Sequence, residues 1–281
     1  MGLKEGLLLR LAGRWISGVD IDSVLQDAED ANKRGLSVVI NFLGEGITDP
    51  SISDSHLRQY LRLQQAISQN GIRGCVSVKL TQFGLASDEA RARRRLGEVV
   101  GEASRLGQLL WVDMENSQFL ERTLELYSEF HAENGHVGVA LQAYMRRSEP
   151  DLNSLLNIGG RVRLVKGAYR EPSGVVFGTR GETTRNYSRL MKILFERGDN
   201  FVIATHDPKL IDEARKLAGS SHANFEFQML KGIQDGLKEE LAESGYRVGE
   251  YLPYGDQWYA YAKRRITEHP SNVLLLLRSL L

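Results

Sequence analysis

The chain has a single cysteine, Cys75, among 281 residues. No internal disulfide can form, and a lone thiol fits a reducing cytoplasm. Net charge is also missing: 36 Lys and Arg balance 36 Asp and Glu. That balance gives no footing to a nucleic-acid or acidic-polymer partner. No apolar run reaches the length needed to cross a membrane. No secretory signal is visible, because Lys4, Glu5 and Arg10 interrupt the segment Met1–Gly18. The tail Val273-Leu-Leu-Leu-Leu-Arg-Ser-Leu-Leu281 is greasy but short. A terminal helix packed on the body is expected there, with peripheral contact at the inner face of the membrane as the alternative. Linkers, repeats and low-complexity stretches are absent, so residues 1–281 read as one domain. A chain of this length buries roughly three quarters of its unfolded surface and needs no staples.

What is present is a recurrence of short apolar, β-branched segments. They are Ser37–Leu43, Gly74–Leu80, Leu109–Met114, Val137–Ala143, Arg161–Lys166, Phe201–Thr205, Ala223–Phe227 and Arg247–Leu252. Most are apolar throughout, as strands covered on both faces should be. Helical stripes lie between them, such as Leu57, Tyr60, Leu61 and Ile67, and Leu120, Leu124, Tyr127 and Phe130. Asp20–Arg34 reads as a helix before the first strand, and Asp54, Ser87 and Ser117 stand where N-caps are expected. Strands alternating with helices imply a parallel sheet with right-handed crossovers. Closure into a (β/α)8 TIM barrel is the economical solution at this length, and a doubly wound open sheet is the alternative.

Barrel chemistry sits at the C-terminal ends of the strands. The polar residues expected there are Glu45, Lys79, Asp113, Gln142, Arg163, Lys166, Thr205, His206, Glu226, Gln228 and Tyr251. Near the C-terminus, Tyr261, Arg264, Arg265 and Glu268 fall at i, i+3, i+4 and i+7, on one face if the segment is helical. Two guanidiniums beside a ring suit a ligand with a carboxylate and an apolar body, since each fork can grip a carboxylate. Taken alone, the same run also describes a solvated face with an ion pair.

Several segments now point one way. Val76-Ser-Val-Lys79-Leu, Asp113-Met114-Glu115, Leu141-Gln142-Ala-Tyr144, Arg163-Leu-Val-Lys166-Gly167-Ala-Tyr169, Ala204-Thr205-His206-Asp, Phe225-Glu-Phe-Gln-Met-Leu230 and Tyr261-x-x-Arg264-Arg265 appear in this order. Together they resemble the proline dehydrogenase family, from about Arg10-Leu-Ala-Gly13 to the end. The Arg-Leu-Val-Lys-Gly-Ala-Tyr and Tyr-x-x-Arg-Arg motifs are specific, whereas Thr-His alone is weak. The resemblance implies a barrel holding FAD at its C-terminal mouth, with a C-terminal helix contributing to the active site. It implies oxidation of L-proline to Δ1-pyrroline-5-carboxylate by hydride transfer from C5 to flavin N5, with a quinone as the electron acceptor. No G-x-G-x-x-G follows a strand, so a Rossmann manner of holding FAD is not expected.

The resemblance also implies roles. Arg264 and Arg265 match the family's carboxylate-binding pair, joined by Lys79; the bland reading of Lys79 is a pair with Glu45 or Asp113. Tyr251, Tyr261 and Leu230 would wall the pyrrolidine ring, with Tyr251 favouring proline over 4-hydroxyproline; their bland reading is ordinary core packing. Arg163 matches an arginine beside the flavin N5 edge, where a fixed cation favours developing negative charge. Gln142 suits the pyrimidine edge of the flavin, which offers both hydrogen-bond types. Met114, Lys166, Gly167, Ala168, Thr205 and His206 match further FAD contacts. Asp113 matches an active-site aspartate whose individual role stays open. The loop from Tyr169 to Glu182 reads either as a lid or as a surface excursion.

The N-terminal region is shorter than in relatives, and no aldehyde-dehydrogenase domain follows. The expectation is a one-step enzyme whose product goes to a separate pyrroline-5-carboxylate dehydrogenase. Two rival readings remain: a Schiff-base lyase using Lys79 or Lys166, and a non-catalytic barrel that binds a flavin or an amino acid.

Overall fold

The computed structural model describes residues 13–219, 224–259 and 261–262. Its first half runs α1 Ile21–Lys33, β1 Ser37–Phe42, α2 Pro50–Gln69, β2 Gly74–Val78, α3 Glu89–Arg105, β3 Leu110–Val112, α4 Ser117–Asn134 and β4 Val137–Gln142. The second half runs α5 Ser148–Asn157, β5 Arg161–Val165, α6 Arg180–Arg197, β6 Phe201–Ala204, α7 Pro208–Ala218, β7 Phe225–Leu230, α8 Asp235–Glu243 and β8 Arg247–Tyr254. Every strand pairs in parallel with the next and β8 returns to β1, which closes the expected eight-stranded barrel.

The strands read as apolar because both faces are covered. Outward residues such as Val38, Ile40, Val76, Val78 and Leu252 join the helices in the main core. Inward, Val39, Trp111 and Val202 form a separate plug. Trp111 fits there because β4 carries Gly138 beside it: a Cβ at Gly138 would lie 2.5 Å from Cζ3 of Trp111.

Helix α1 covers the outside of the junction between β1 and β8, packing on both strands. It buries Val24, Leu25, Ala28 and Ala31, and Asp20 caps it through Ser23 N at 2.8 Å. The helix that precedes the first strand therefore occupies the place a helix after the eighth would take. Among the described residues beyond Tyr254, Tyr261 lines the central cavity.

Several sequence expectations are corrected. Asp49, not Asp54, caps α2, with Pro50 in the first turn; Asp54 lies inside the helix and pairs with Arg95. Asp88 rather than Ser87 caps α3, and Asn116 rather than Ser117 caps α4. Strand β2 stops at Val78, and Leu80–Phe83 turns as a short 3-10 helix. Strand β7 spans Phe225–Leu230, later than expected, and Ala223 lies outside the described residues. Glu182 is not loop: it completes a capping box with Thr179 at the start of α6. No helix of the described residues is long and apolar enough to cross a membrane.

Candidate active site

The C-terminal ends of the strands surround a cavity of about 520 Å³. Lys79, Asp113, Met114, Gln142, Arg163, Lys166, Gly167, Ala168, Thr205, His206, Leu230, Tyr251 and Tyr261 all line it. Of the expected site residues, Arg264 and Arg265 lie outside the described residues.

Arg163 projects inward from β5 and is almost fully buried. Its Nη2 pairs closely with Oδ1 of Asp113 and donates to Ser77 Oγ at 2.9 Å, while Nη1 donates to Oε1 of Gln228 at 3.3 Å. Its guanidinium carbon sits 4.9 Å from the Trp111 ring centroid and 5.6 Å from that of Tyr251. A planar cation between two rings, with acceptors at its edges, is fixed in orientation. The second oxygen of Asp113 accepts from the Tyr251 hydroxyl at 2.6 Å. Burial raises that phenol well above its ordinary pKa, and the nearby Asp113 charge adds to the rise, so the hydroxyl stays a donor.

Two further cations stand at the rim. Lys79 Nζ meets Oε2 of Glu45 at 2.9 Å, the pairing open to it in the bland reading, and the Tyr169 hydroxyl reaches the same oxygen at 3.2 Å. Lys166 Nζ meets Oδ2 of Asp207 at 2.8 Å. Burial raises the Asp207 carboxyl, but the Lys166 contact together with backbone hydrogen bonds from Lys209 and Leu210 holds the group below its usual value.

Gln142 ends β4 in a buried position. Its Nε2 donates to Met114 O at 3.2 Å, and its Oε1 has no hydrogen-bond partner among the described residues. A buried orphan acceptor beside a cavity fits a ligand that brings a donor. Gly167 has φ +104, and a Cβ there would lie 2.2 Å from Cδ1 of Tyr144, so the turn after β5 admits only glycine. His206 accepts at Nε2 from Leu230 N at 2.9 Å, which places its ring proton on Nδ1 and pins the end of β7.

The loop after β5 is tied down. Met145 and Val176 form a bridge, Phe177 N donates to Tyr144 O at 2.8 Å, and both oxygens of Glu171 accept from Ser117 at 2.6 Å.

Sequence reasoning missed Asn41, Ser77 and Asp207 as site residues. Asn41 breaks the apolar run Val38-Val-Ile-Asn41, and its Nδ2 donates to Ser77 O at 2.8 Å. Ser77 precedes Lys79 by two residues of extended chain and so points the same way, a signal present in the sequence. Glu226 was expected at the mouth; it lies near the start of β7 and lines a second cavity at the opposite end of the barrel.

A model of the proline dehydrogenase family matches residues 24–275. The chain belongs to the proline dehydrogenase family, a family of oxidoreductases. It is 36% identical to proline dehydrogenase of Deinococcus radiodurans over 293 residues, covering 99% of this chain and 93% of that one. It is 32% identical to proline dehydrogenase 2 of Bacillus subtilis over 282 residues, covering 96% and 93%. Among solved structures it resembles proline utilization A from Bdellovibrio bacteriovorus, inactivated by N-propargylglycine, with a TM-score of 0.85 and 25% identity. That likeness covers 92% of this chain, which spans about a third (32%) of the longer protein.

Proposed function

We propose that this member of the proline dehydrogenase family oxidises L-proline to Δ1-pyrroline-5-carboxylate with FAD bound at the barrel mouth, and that a quinone takes the electrons. The observation that carries this reading is the buried cluster of Arg163, Asp113 and Tyr251 beneath a cavity that also holds the orphan Oε1 of Gln142. The donor set fits a flavin: a lone acceptor at Gln142 suits a ring N–H, and Lys166, Gly167 and Thr205 offer cation, close backbone and hydroxyl for the remainder of the dinucleotide. When bound, FAD supplies a hydride acceptor at N5.

The chain's own residues bind, orient and exclude water. Arg163 presents a fixed positive charge in a site shielded from solvent, where such a charge acts most strongly. Asp113 accepts on both oxygens, from Arg163 and Ser77 on one and from Tyr251 on the other, so it positions the cation and the ring rather than acting as a base. Tyr251, Leu230 and Tyr261 wall the apolar part of the substrate. Lys79, which lines the cavity, would bind the substrate carboxylate, a role the family resemblance also gives to Arg264 and Arg265. Glu45 pairs with Lys79 at 2.9 Å, so a substrate carboxylate would compete with it for the same cation. The product would then be oxidised by a pyrroline-5-carboxylate dehydrogenase.

The lyase reading has weaker support, because Lys79 and Lys166 are both held in ion pairs, at 2.9 and 2.8 Å. The visible spectrum of the purified protein tests the assignment. A flavin absorption that bleaches anaerobically on adding L-proline is the expected result. A colourless protein, or one unchanged by proline, overturns it.

A further inference from the structure

The inward side chains of β7 descend through the barrel in steps of two residues: Leu230 at the mouth, then Gln228, then Glu226. Gln228 lines both the mouth cavity and the cavity of about 480 Å³ at the N-terminal end. Its amide is engaged at both ends. Oε1 accepts from Nη1 of Arg163 at 3.3 Å, and Nε2 donates to Oε1 of Glu226 at 2.6 Å. The partners dictate this orientation. A guanidinium only donates and an ionised carboxylate only accepts, so the reversed amide would set donor against donor and acceptor against acceptor.

Glu226 is an expensive group to keep here. Ser37 from β1, Cys75 from β2, Arg163 from β5 and Arg247 from β8 face it together with Gln228. Its hydrogen bonds come from neutral groups, Gln228 and the Ser37 hydroxyl at 3.2 Å. Burial pushes its carboxyl above the ordinary value despite those bonds. Strand β8 also leaves room for it. A Cβ at Gly249 would lie 2.5 Å from Oε1 of Glu226 and 3.1 Å from Cγ of Gln228. A buried carboxylate opposes folding, so its presence next to a site residue calls for a role.

We propose that Gln228 and Glu226 are positioning residues for Arg163, Glu226 fixing the amide so that its carbonyl faces the guanidinium. The proposal rests on Arg163 being the cation beside the reacting edge of the flavin. Asp113 and Ser77 anchor one edge of the guanidinium and Gln228 holds another, so the plane between Trp111 and Tyr251 has one setting. Releasing Gln228 frees that plane to tilt without breaking the pair with Asp113.

The test compares Glu226→Gln, Gln228→Met, their combination and Arg163→Met in the full-length holoenzyme. Four quantities are measured: flavin midpoint potential, anaerobic rate of flavin reduction by L-proline, L-proline Kd, and thermal midpoint. Glutamine at 226 keeps the shape but offers donor and acceptor alike, so it no longer dictates the neighbouring amide. Each single variant should slow reduction roughly tenfold, the scale of one hydrogen bond to a charged group, and leave the L-proline Kd unchanged. The potential should move in the direction seen for Arg163→Met, by less. The combination should be no worse than Gln228→Met alone, because Glu226 acts through Gln228. Glu226→Gln should melt at or above the wild-type temperature, which a merely structural role would not produce.

Unchanged potential and rate in the single variants, with Arg163→Met impaired, overturn the positioning role. Effects that multiply in the combination overturn the route through Gln228. If Arg163→Met itself moves neither potential nor rate, the reading of Arg163 falls and takes this proposal with it. Should Gln228→Met not fold, the isosteric Glu226→Gln still decides by its own potential and rate.

Discussion

The hydroxyl of Tyr251 donates to Oδ2 of Asp113 at 2.6 Å, joining β8 to the residue after β3 across the barrel interior. The other oxygen of the same carboxylate holds Arg163. One acidic group thus holds both residues, which in the proposed reading are the ring that walls the substrate and the cation that faces the reacting edge.

That linkage separates two substitutions at one position. Tyr251→Phe keeps the ring and loses the donor, which leaves a carboxylate oxygen short of a partner at a cost of about 1–3 kcal/mol. It should slow reduction and keep the preference for L-proline over trans-4-hydroxy-L-proline. Tyr251→Ser removes the ring, opens space for the 4-hydroxyl and exposes part of the apolar wall, on the scale of roughly 25 cal/mol per Å². It should narrow the preference. The ratio of kcat/KM values for the two substrates in the three proteins is the measurement. A ratio that stays fixed in Tyr251→Ser would show that the ring does not face the substrate.

Arg163→Met should lower the flavin midpoint potential and slow anaerobic bleaching by about 10²–10³-fold, the usual effect of removing a donor aimed at developing charge. Proline binding should change far less. Potentiometry and stopped-flow absorbance report the two quantities, and parity between rate loss and binding loss would count against the assignment.

Arg264→Ala and Arg265→Ala should each raise the KM for L-proline while FAD stays bound. Loss of one partner in a desolvated charge pair costs about 2–5 kcal/mol, or roughly thirty- to several-thousand-fold. Steady-state kinetics with a flavin content check each variant. Near-normal KM in both would remove these residues from the substrate carboxylate.

Much of the cavity's lining is legible in the sequence because polar residues interrupt apolar strands. Lys79, Gln142 and Arg163 stand out as polar residues inside runs of Val, Leu and Ala, and the barrel brings them together at one rim. Glu226 misled for a physical reason. Gln228 looks like the polar end of a strand, which places β7 too early and Glu226 at its mouth. In the fold Gln228 points into a polar interior, the strand runs on to Leu230, and Glu226 falls near the opposite opening. Caps were misjudged by similar local ambiguity. Asp49-Pro50 carried the stronger start signal for α2, since proline suits the first turn and a short acid can cap it. The partnership of Asp113 with Ser77 and Tyr251 spans three strands, and nothing local in the sequence announces it.

Glu115 gives a pH test of the loop that carries Glu45. Burial raises its carboxyl above the ordinary value, while hydrogen bonds from the backbone N and Oγ1 of Thr81 oppose the shift. Thr81 Oγ1 in turn accepts from Gly46 N at 2.8 Å. A carboxyl whose folded pKa exceeds its unfolded one binds more protons when folded, so its contribution is present in acid and lost as pH rises through the folded value. Glu115→Gln lacks this slope. The thermal midpoint of wild type should fall relative to Glu115→Gln as pH rises from the ordinary carboxylate value through the raised one. A difference independent of pH would show that Glu115 does not titrate in the folded protein across that range.

Because α1 seals the outside of the β8–β1 seam, the wall is finished when the chain reaches Tyr254. Tyr261, which lines the cavity, comes after that closure. Rigidity and capture are thereby assigned to different parts of the polypeptide. In the proposed reading, a change at Tyr261 that tightens the grip on a substrate need not disturb the setting of Arg163 beneath.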